Sequence, residues 1–216
     1  MVALKSGKNK REHVEFEGFL FDSREEVNFY IWLKEAVDFG MVSEWEYQPK
    51  SFTLFEEVKD DRGKQFMRSH VYSADFAFRL TEKWDEFATD MKVRYFAGHK
   101  RDSHDGRVWV DTKGTFIMHG GDRSFSINQK WVYQKFGTYV SKVVVDEFFS
   151  KVWLPERCRT TLKLNKVCKK YSQFKSYSEK IAEYEKFLAE HPKMRKPRTL
   201  KPVVVSPDMP KLNLDD

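Results

Sequence analysis

The sequence predicts an α/β domain in which one helix, three strands, a second helix and a fourth strand follow in that order, with a basic helical segment appended. Three observations predict it. A stretch with helical apolar spacing and a cap signal runs from Ser23 to Gly40. Extended, alternating runs follow between 43 and 113, several of them bounded by Pro or Gly. An amphipathic run at 126–138 then leads into a short apolar run at 141–146.

Residues 1–13 form a polar arm carrying Lys5, Lys8, Lys10 and Arg11, expected to order against something acidic. VEFEGFLF (14–21) is extended, with Gly18 at a turn. Ser23 caps the first helix, and Gly40 ends it. Its apolar residues Val27, Phe29, Tyr30, Ile31, Leu33, Ala36 and Val37 cover more than half the circumference, so it packs on more than one side. Strands at 43–48 and 51–58 break at Pro49, DDRGK (60–64) turns the chain, and 66–80 is extended, ending in YSADFAFRL. Residues 81–106 read as polar turns around an extra strand at 91–96, an insertion before the strand at 107–113. HGGDRS (119–124) is a loop before the second helix. Beyond 150 the texture turns basic, and 166–190 reads as one amphipathic helix with Tyr171, Phe174, Tyr177, Ile181, Tyr184 and Leu188 at helical spacing. Four prolines and an acidic end mark 193–216 as a tail. The divisions are therefore 1–13, 14–150, 151–192 and 193–216.

Composition narrows the class. Among 216 residues, 40% are apolar and 33% charged, which is globular and not disordered. No apolar run reaches the length of a membrane span, and the first residues hold no signal-peptide apolar stretch. Cys158 and Cys168 are too few for a disulfide framework or a four-ligand zinc site, so a soluble, reducing, cytoplasmic setting is expected. The net charge is +6, but it is unevenly placed. Residues 151–201 hold fifteen Lys or Arg against five Glu, while the first 150 residues are slightly acidic. That asymmetry points to a polyanionic partner, above all nucleic acid, although solvated surface lysines would also produce it.

Within the strands, charge stands out because Asp and Lys are depleted there. In VWVDTKG (108–114), Asp111 and Lys113 lie two apart, so a strand sets both on one face beside Trp109, with Val108 and Val110 opposite. A carboxylate and an ammonium can then address one phosphate, and Thr112 offers its backbone carbonyl. In VYSADFAF (71–78) the same alternation puts Ser73, Asp75 and Ala77 on one face, and Tyr72, Ala74, Phe76 and Phe78 on a buried one. Edge-strand charges or a structural salt bridge would also account for each segment alone. Phosphodiester hydrolysis needs a hard cation held by oxygens, a nearby water and positive charge facing the phosphate.

In combination these segments resemble the PD-(D/E)XK nuclease superfamily, and within it the small, resolvase-like endonucleases of phages and prophages. The resemblance rests on Ser23 and Glu26 in FDSREEVNFYIWL, Asp75 in YSADFAF, and Asp111 and Lys113 in VDTKG, and covers roughly residues 8–146. Ala74 stands where the superfamily's name has Pro, and the insertion at 81–106 leaves open a contribution from Asp85 or Glu86. The resemblance implies a mixed central sheet flanked by helices. It also implies a Mg²⁺- or Mn²⁺-dependent deoxyribonuclease leaving 5′-phosphate and 3′-hydroxyl ends. Asp75, Asp111, the Thr112 carbonyl and Glu26 would hold metal, and Lys113 would orient water or stabilise charge. Ser23-x-x-Glu26 is equally the signature of a helix capping box, so both roles for Glu26 stand at this point, with Glu25 as a substitute.

Further candidates are Gln48 near the cleft, Gln129 and Tyr133 on one face of the second helix, and His70 or His119 as a proton shuttle. DNA contacts are expected from Lys8, Lys10, Arg11, Gln129, Lys130, Lys135, Lys169 and Lys170, mostly to phosphates. Expected roles are recombination, repair or processing of branched or duplex phage DNA, with a homodimer possible for paired cuts. The alternatives are a strand-cutting subunit of a transposase-like or packaging complex, and a nucleic-acid-binding module on an inactive nuclease scaffold.

Overall fold

The computed structural model describes residues 13–101, 103–114, 121–161 and 166–192. A hairpin of β1 (Val14–Phe16) and β2 (Phe19–Phe21) leads into α1 (Arg24–Asp38). Six strands follow: β3 (Val42–Tyr47), β4 (Ser51–Phe55), β5 (Val58–Lys59), β6 (Gln65–Met67), β7 (His70–Ser73) and β8 (Phe76–Leu80). Next come α2 (Glu82–Asp90), β9 (Val108–Lys113), α3 (Gly121–Phe136), β10 (Val140–Val144), α4 (Val145–Lys151) and α5 (Tyr177–Glu190).

The central sheet is mixed, in the order β10-β9-β8-β3. β10 runs parallel to β9, and β8 is antiparallel to both β9 and β3. Between β3 and β8 the chain leaves this sheet to form two further antiparallel ladders, β4 with β7 and β5 with β6. In chain order these strands and the helices around them run α1, β3, β8, α2, β9, α3, β10, a mixed α/β arrangement in which α2 occupies the stretch expected as an insertion.

Alternation along β9 divides the core into two clusters. Val108 and Val110 join α1 residues Val27, Phe29, Trp32 and Leu33 on one face. Trp109 joins Phe125 and Val132 of α3 on the other. Trp32 lies at the centre of the first cluster, with its ring 4.7 Å from Phe148, 5.2 Å from Trp153 and 5.9 Å from Trp84. Removing such a buried aromatic costs about 3–5 kcal/mol.

Several sequence expectations are corrected. Residues 82–90 form a helix, not a polar turn: Thr81 caps it, and Trp84 and Phe87, three apart, insert into the first cluster. No strand forms at 91–96, where positive φ at Lys92 and Phe96 bends the backbone away from extension. The helix expected over 166–190 begins only at Tyr177. Ser176 and Glu179 form a reciprocal capping box that fixes its start, while Tyr171 and Phe174 pack from turns. The segment after 151 shares the first core cluster through Val152, Trp153, Leu154, Cys158 and Tyr171. It clasps the back of α1, where Glu35 accepts hydrogen bonds from Trp153 Nε1 at 2.9 Å and the Glu156 amide at 3.0 Å. No helix among the described residues is long and apolar enough to cross a membrane.

Candidate active site

The site lies at a fork in the sheet. β7 pairs with β4, β8 pairs with β3 and β9, and Ala74–Asp75 bridges the two pairings without belonging to either strand. The expected alternation therefore fails here. Tyr72 and Ala74 face the α3 cluster, whereas Phe76 and Phe78 face the α1 cluster, so the chain changes face across Asp75. Asp75 is anchored through its backbone, its amide donating to the Val110 carbonyl at 2.9 Å and its carbonyl accepting from the Gln48 amide at 2.7 Å. Gln48 adopts a left-handed φ of 46°, a conformation non-glycine residues seldom take, directly beside the candidate acid.

The Asp75 carboxylate reaches across to β9. Its Oδ2 accepts from the Thr112 amide at 2.6 Å and the Thr112 hydroxyl at 2.7 Å. Oδ1 accepts no hydrogen bond among the described residues. Burial raises the Asp75 pKa well above the usual carboxylate range, the charges of Asp111 and Glu26 push it further, and the Thr112 bonds oppose them. Three carboxylates thus share one electrostatic neighbourhood.

Asp111 is buried, 5% exposed, in the second half of β9. Its Oδ2 accepts from the Tyr72 hydroxyl at 2.8 Å, and its Oδ1 pairs with Lys113 Nζ. Lys113 lies on the same strand face, as the two-residue spacing required, with its ammonium 5.9 Å from the centre of the Phe125 ring. In the parallel register Lys142 of β10 is the direct neighbour of Asp111.

Glu26 is both a helix cap and a neighbour of the site. Ser23 Oγ accepts from the Glu26 amide at 3.2 Å and donates to Glu26 Oε1 at 2.9 Å. Oε2 accepts from the Asp22 amide at 3.0 Å and the Tyr47 hydroxyl at 2.8 Å. The return bond of the cap therefore goes to Asp22 and not to Ser23. Burial raises the Glu26 pKa, and the bonds from Tyr47, Ser23 and Asp22 hold it back. Glu25, in the same first turn, approaches the end of β9, where a Cβ on Gly114 would stand 3.2 Å from its Oε1.

A hard divalent cation can be held through one or two carboxylates, its shell completed by water and substrate phosphate. Asp75 and Asp111 are carboxylates of the kind such an ion takes, and the repulsion that Asp75 feels from Asp111 is what a cation would relieve. Among the described residues, no group of three or more His, Cys, Asp or Glu closes into a cage.

The remaining candidates divide. Asp85, in α2 beyond the opposite end of β8, pairs with Arg101 and so lies apart from the fork. The Gln129 side chain donates to the Val140 carbonyl at 2.6 Å. Lys135 donates to the Thr53 carbonyl at 2.9 Å. Lys130, Lys169 and Tyr133 are exposed. Lys170 pairs with Asp146 at 2.6 Å, two residues beyond the strand position opposite Lys113. His70 is bonded to Asn128 at 2.8 Å on α3. Lys5, Lys8, Lys10, Arg11, His119 and 193–216 lie outside the described residues. Sequence reasoning missed Tyr47, Tyr72 and the Thr112 side chain as partners of the acids. Tyr72 could have been noticed as the one hydroxyl-bearing residue on the apolar face assigned to it.

A family model described only as a protein of unknown function, DUF1064, matches residues 6–95. The match takes in Glu26 and Asp75 and stops short of Asp111 and Lys113. No curated protein and no solved structure matches the chain.

Proposed function

We propose that this chain is a metal-dependent DNA endonuclease on the PD-(D/E)XK plan, with Asp75, Asp111 and Lys113 as its catalytic set. The observation that carries the proposal is the sheet fork, which brings Asp75 from one segment beside Asp111 from another, with Lys113 paired to Asp111 and Glu26 close by. The order of α1, β3, β8, β9, α3 and β10 around a mixed sheet supports it as the arrangement the resemblance calls for.

Asp75 and Asp111, with the Thr112 carbonyl, would hold Mg²⁺ or Mn²⁺. When bound, that ion supplies Lewis-acid polarisation of the phosphate and acidifies water. Lys113 turns its ammonium toward the same space and stabilises charge on the phosphate oxygens. Thr112 keeps Asp75 in place, and Tyr72 does the same for Asp111. Glu26 keeps the start of α1 closed and adds negative charge near Asp75. Lys130, Lys169 and Lys170 would contact phosphates, giving salt-sensitive binding with little sequence preference.

The test is cleavage of supercoiled, linear, flapped and branched DNA with Mg²⁺, Mn²⁺ or chelator. Metal-dependent cutting by the native chain and its loss in Asp111→Ala are expected. Absence of cleavage of every form, or full activity in Asp111→Ala, would overturn the proposal.

One set of contacts favours a second reading, a nucleic-acid-binding module without catalysis: Lys113 and Tyr72 already satisfy both Asp111 oxygens without a metal ion. Calorimetry with Mn²⁺ separates the two, since binding at the fork belongs to the nuclease alone.

A further inference from the structure

Beside the fork, a half-open cleft of about 410 Å³ lies between α3, β10 and the segment after α2. Its walls include the aromatic residues Tyr95, Phe125 and Tyr139 and the cations Lys100 and Lys142, and no Asp or Glu among the described residues lines it. Two of its residues belong to the neighbourhood of the candidate active site. Phe125 is the ring beneath the Lys113 ammonium, and Lys142 is the strand neighbour of Asp111. We propose that this cleft binds a single unpaired nucleotide of the DNA strand being cut.

The chemistry selects that occupant. Aromatic faces accept any base by stacking, and lysines beside them answer to a phosphate. The size suits one small ligand and excludes duplex DNA, whose bases are stacked and paired. Lys100 stands 5.9 Å from the Tyr95 ring centre, which places a cation at the edge of an aromatic wall. Glu147 sits close enough to Tyr95 to help raise its pKa, after burial, but does not line the cleft. A duplex could fill the cleft only by releasing a nucleotide from its stack, which costs least where pairing is already interrupted. The inference rests on the nuclease proposal and narrows its substrate to flapped, forked or single-stranded DNA.

The test is calorimetric titration of the full chain, in chelator, with deoxythymidine 5′-monophosphate, deoxythymidine and inorganic phosphate. The monophosphate is expected to bind more tightly than either fragment. Tyr139→Ala and Lys100→Ala are each expected to weaken it by about five-fold or more. Lys100 is a partly exposed residue, so its variant keeps the test open should Tyr139→Ala fail to fold. No heat at millimolar monophosphate, or binding unchanged in both variants, would overturn the proposal. Because the titration contains no metal and involves no cleavage, it is separate from the nuclease assay. Monophosphate binding without DNA cleavage would retain the nucleotide site and reject the nuclease; cleavage without monophosphate binding would do the reverse.

Discussion

Thr112 donates both its backbone N–H and its hydroxyl to one oxygen of Asp75, at 2.6 and 2.7 Å. This pair of hydrogen bonds from β9 offsets part of the repulsion that Asp75 feels from Asp111 and Glu26. Thr112→Val keeps the strand-forming shape and removes only the hydroxyl. It is expected to destabilise the fold by about 1–2 kcal/mol in urea denaturation and to weaken Mn²⁺ binding in calorimetry. Unchanged values for both would mean that the hydroxyl does not position the acid.

The raised pKa values of Asp75 and Glu26 set a pH dependence. Between their unfolded values, about 4, and their higher native values, the native state holds protons that the unfolded chain has released. Stability from these groups is therefore complete below about pH 4 and is lost as pH rises through the native values. Urea denaturation of native protein and Asp75→Asn at about pH 5 and about pH 8 isolates the contribution of Asp75. The native protein should lose stability relative to the variant at the higher pH, and saturating Mg²⁺ should reduce that loss. Parallel pH profiles would contradict it.

The two roles of Glu26 separate by substitution. Glu26→Gln keeps the length and one oxygen, which can still accept from the Asp22 amide and the Tyr47 hydroxyl, while its NH2 can donate to the Ser23 hydroxyl. Glu26→Ala strands the Asp22 amide and the Ser23 and Tyr47 hydroxyls, at a cost of about 1–3 kcal/mol. If the charge serves the site, Glu26→Gln folds normally and cleaves about 10–100-fold more slowly. Full cleavage by Glu26→Gln would leave Glu26 as a cap alone.

Lys113→Met preserves the aliphatic stem over Phe125 and removes the ammonium. The Asp111 side chain, only 7% exposed, would keep the Tyr72 hydroxyl but lose its ion pair. Denaturation should show a loss of about 1–3 kcal/mol, and cleavage should fall by about 100-fold or more. A stable variant with native cleavage would remove Lys113 from the catalytic set.

What was legible in the sequence was local. The two-residue spacing in β9 placed Asp111 and Lys113 on one face because a single uninterrupted strand carries both. Ser23 and Gly40 marked the extent of α1 for the same reason. The strand face expected for Asp75 does not hold, since a fork between two ladders depends on pairing partners far along the chain. Short α2 was lost because only Trp84 and Phe87 among its residues are buried, too few to establish a period. The start of α5 was written in Ser176 and Glu179, but the apolar spacing of Tyr171 and Phe174 continued through it and concealed the boundary.

A crystal soaked in Mn²⁺ tests the central claim most directly. Anomalous density is expected at the fork, with an oxygen of Asp75 and an oxygen of Asp111 each within about 2.0–2.6 Å of the ion. Density elsewhere only, or none at saturating Mn²⁺ with Lys113 still paired to Asp111, would contradict the assignment of this site as a metal-dependent nuclease centre.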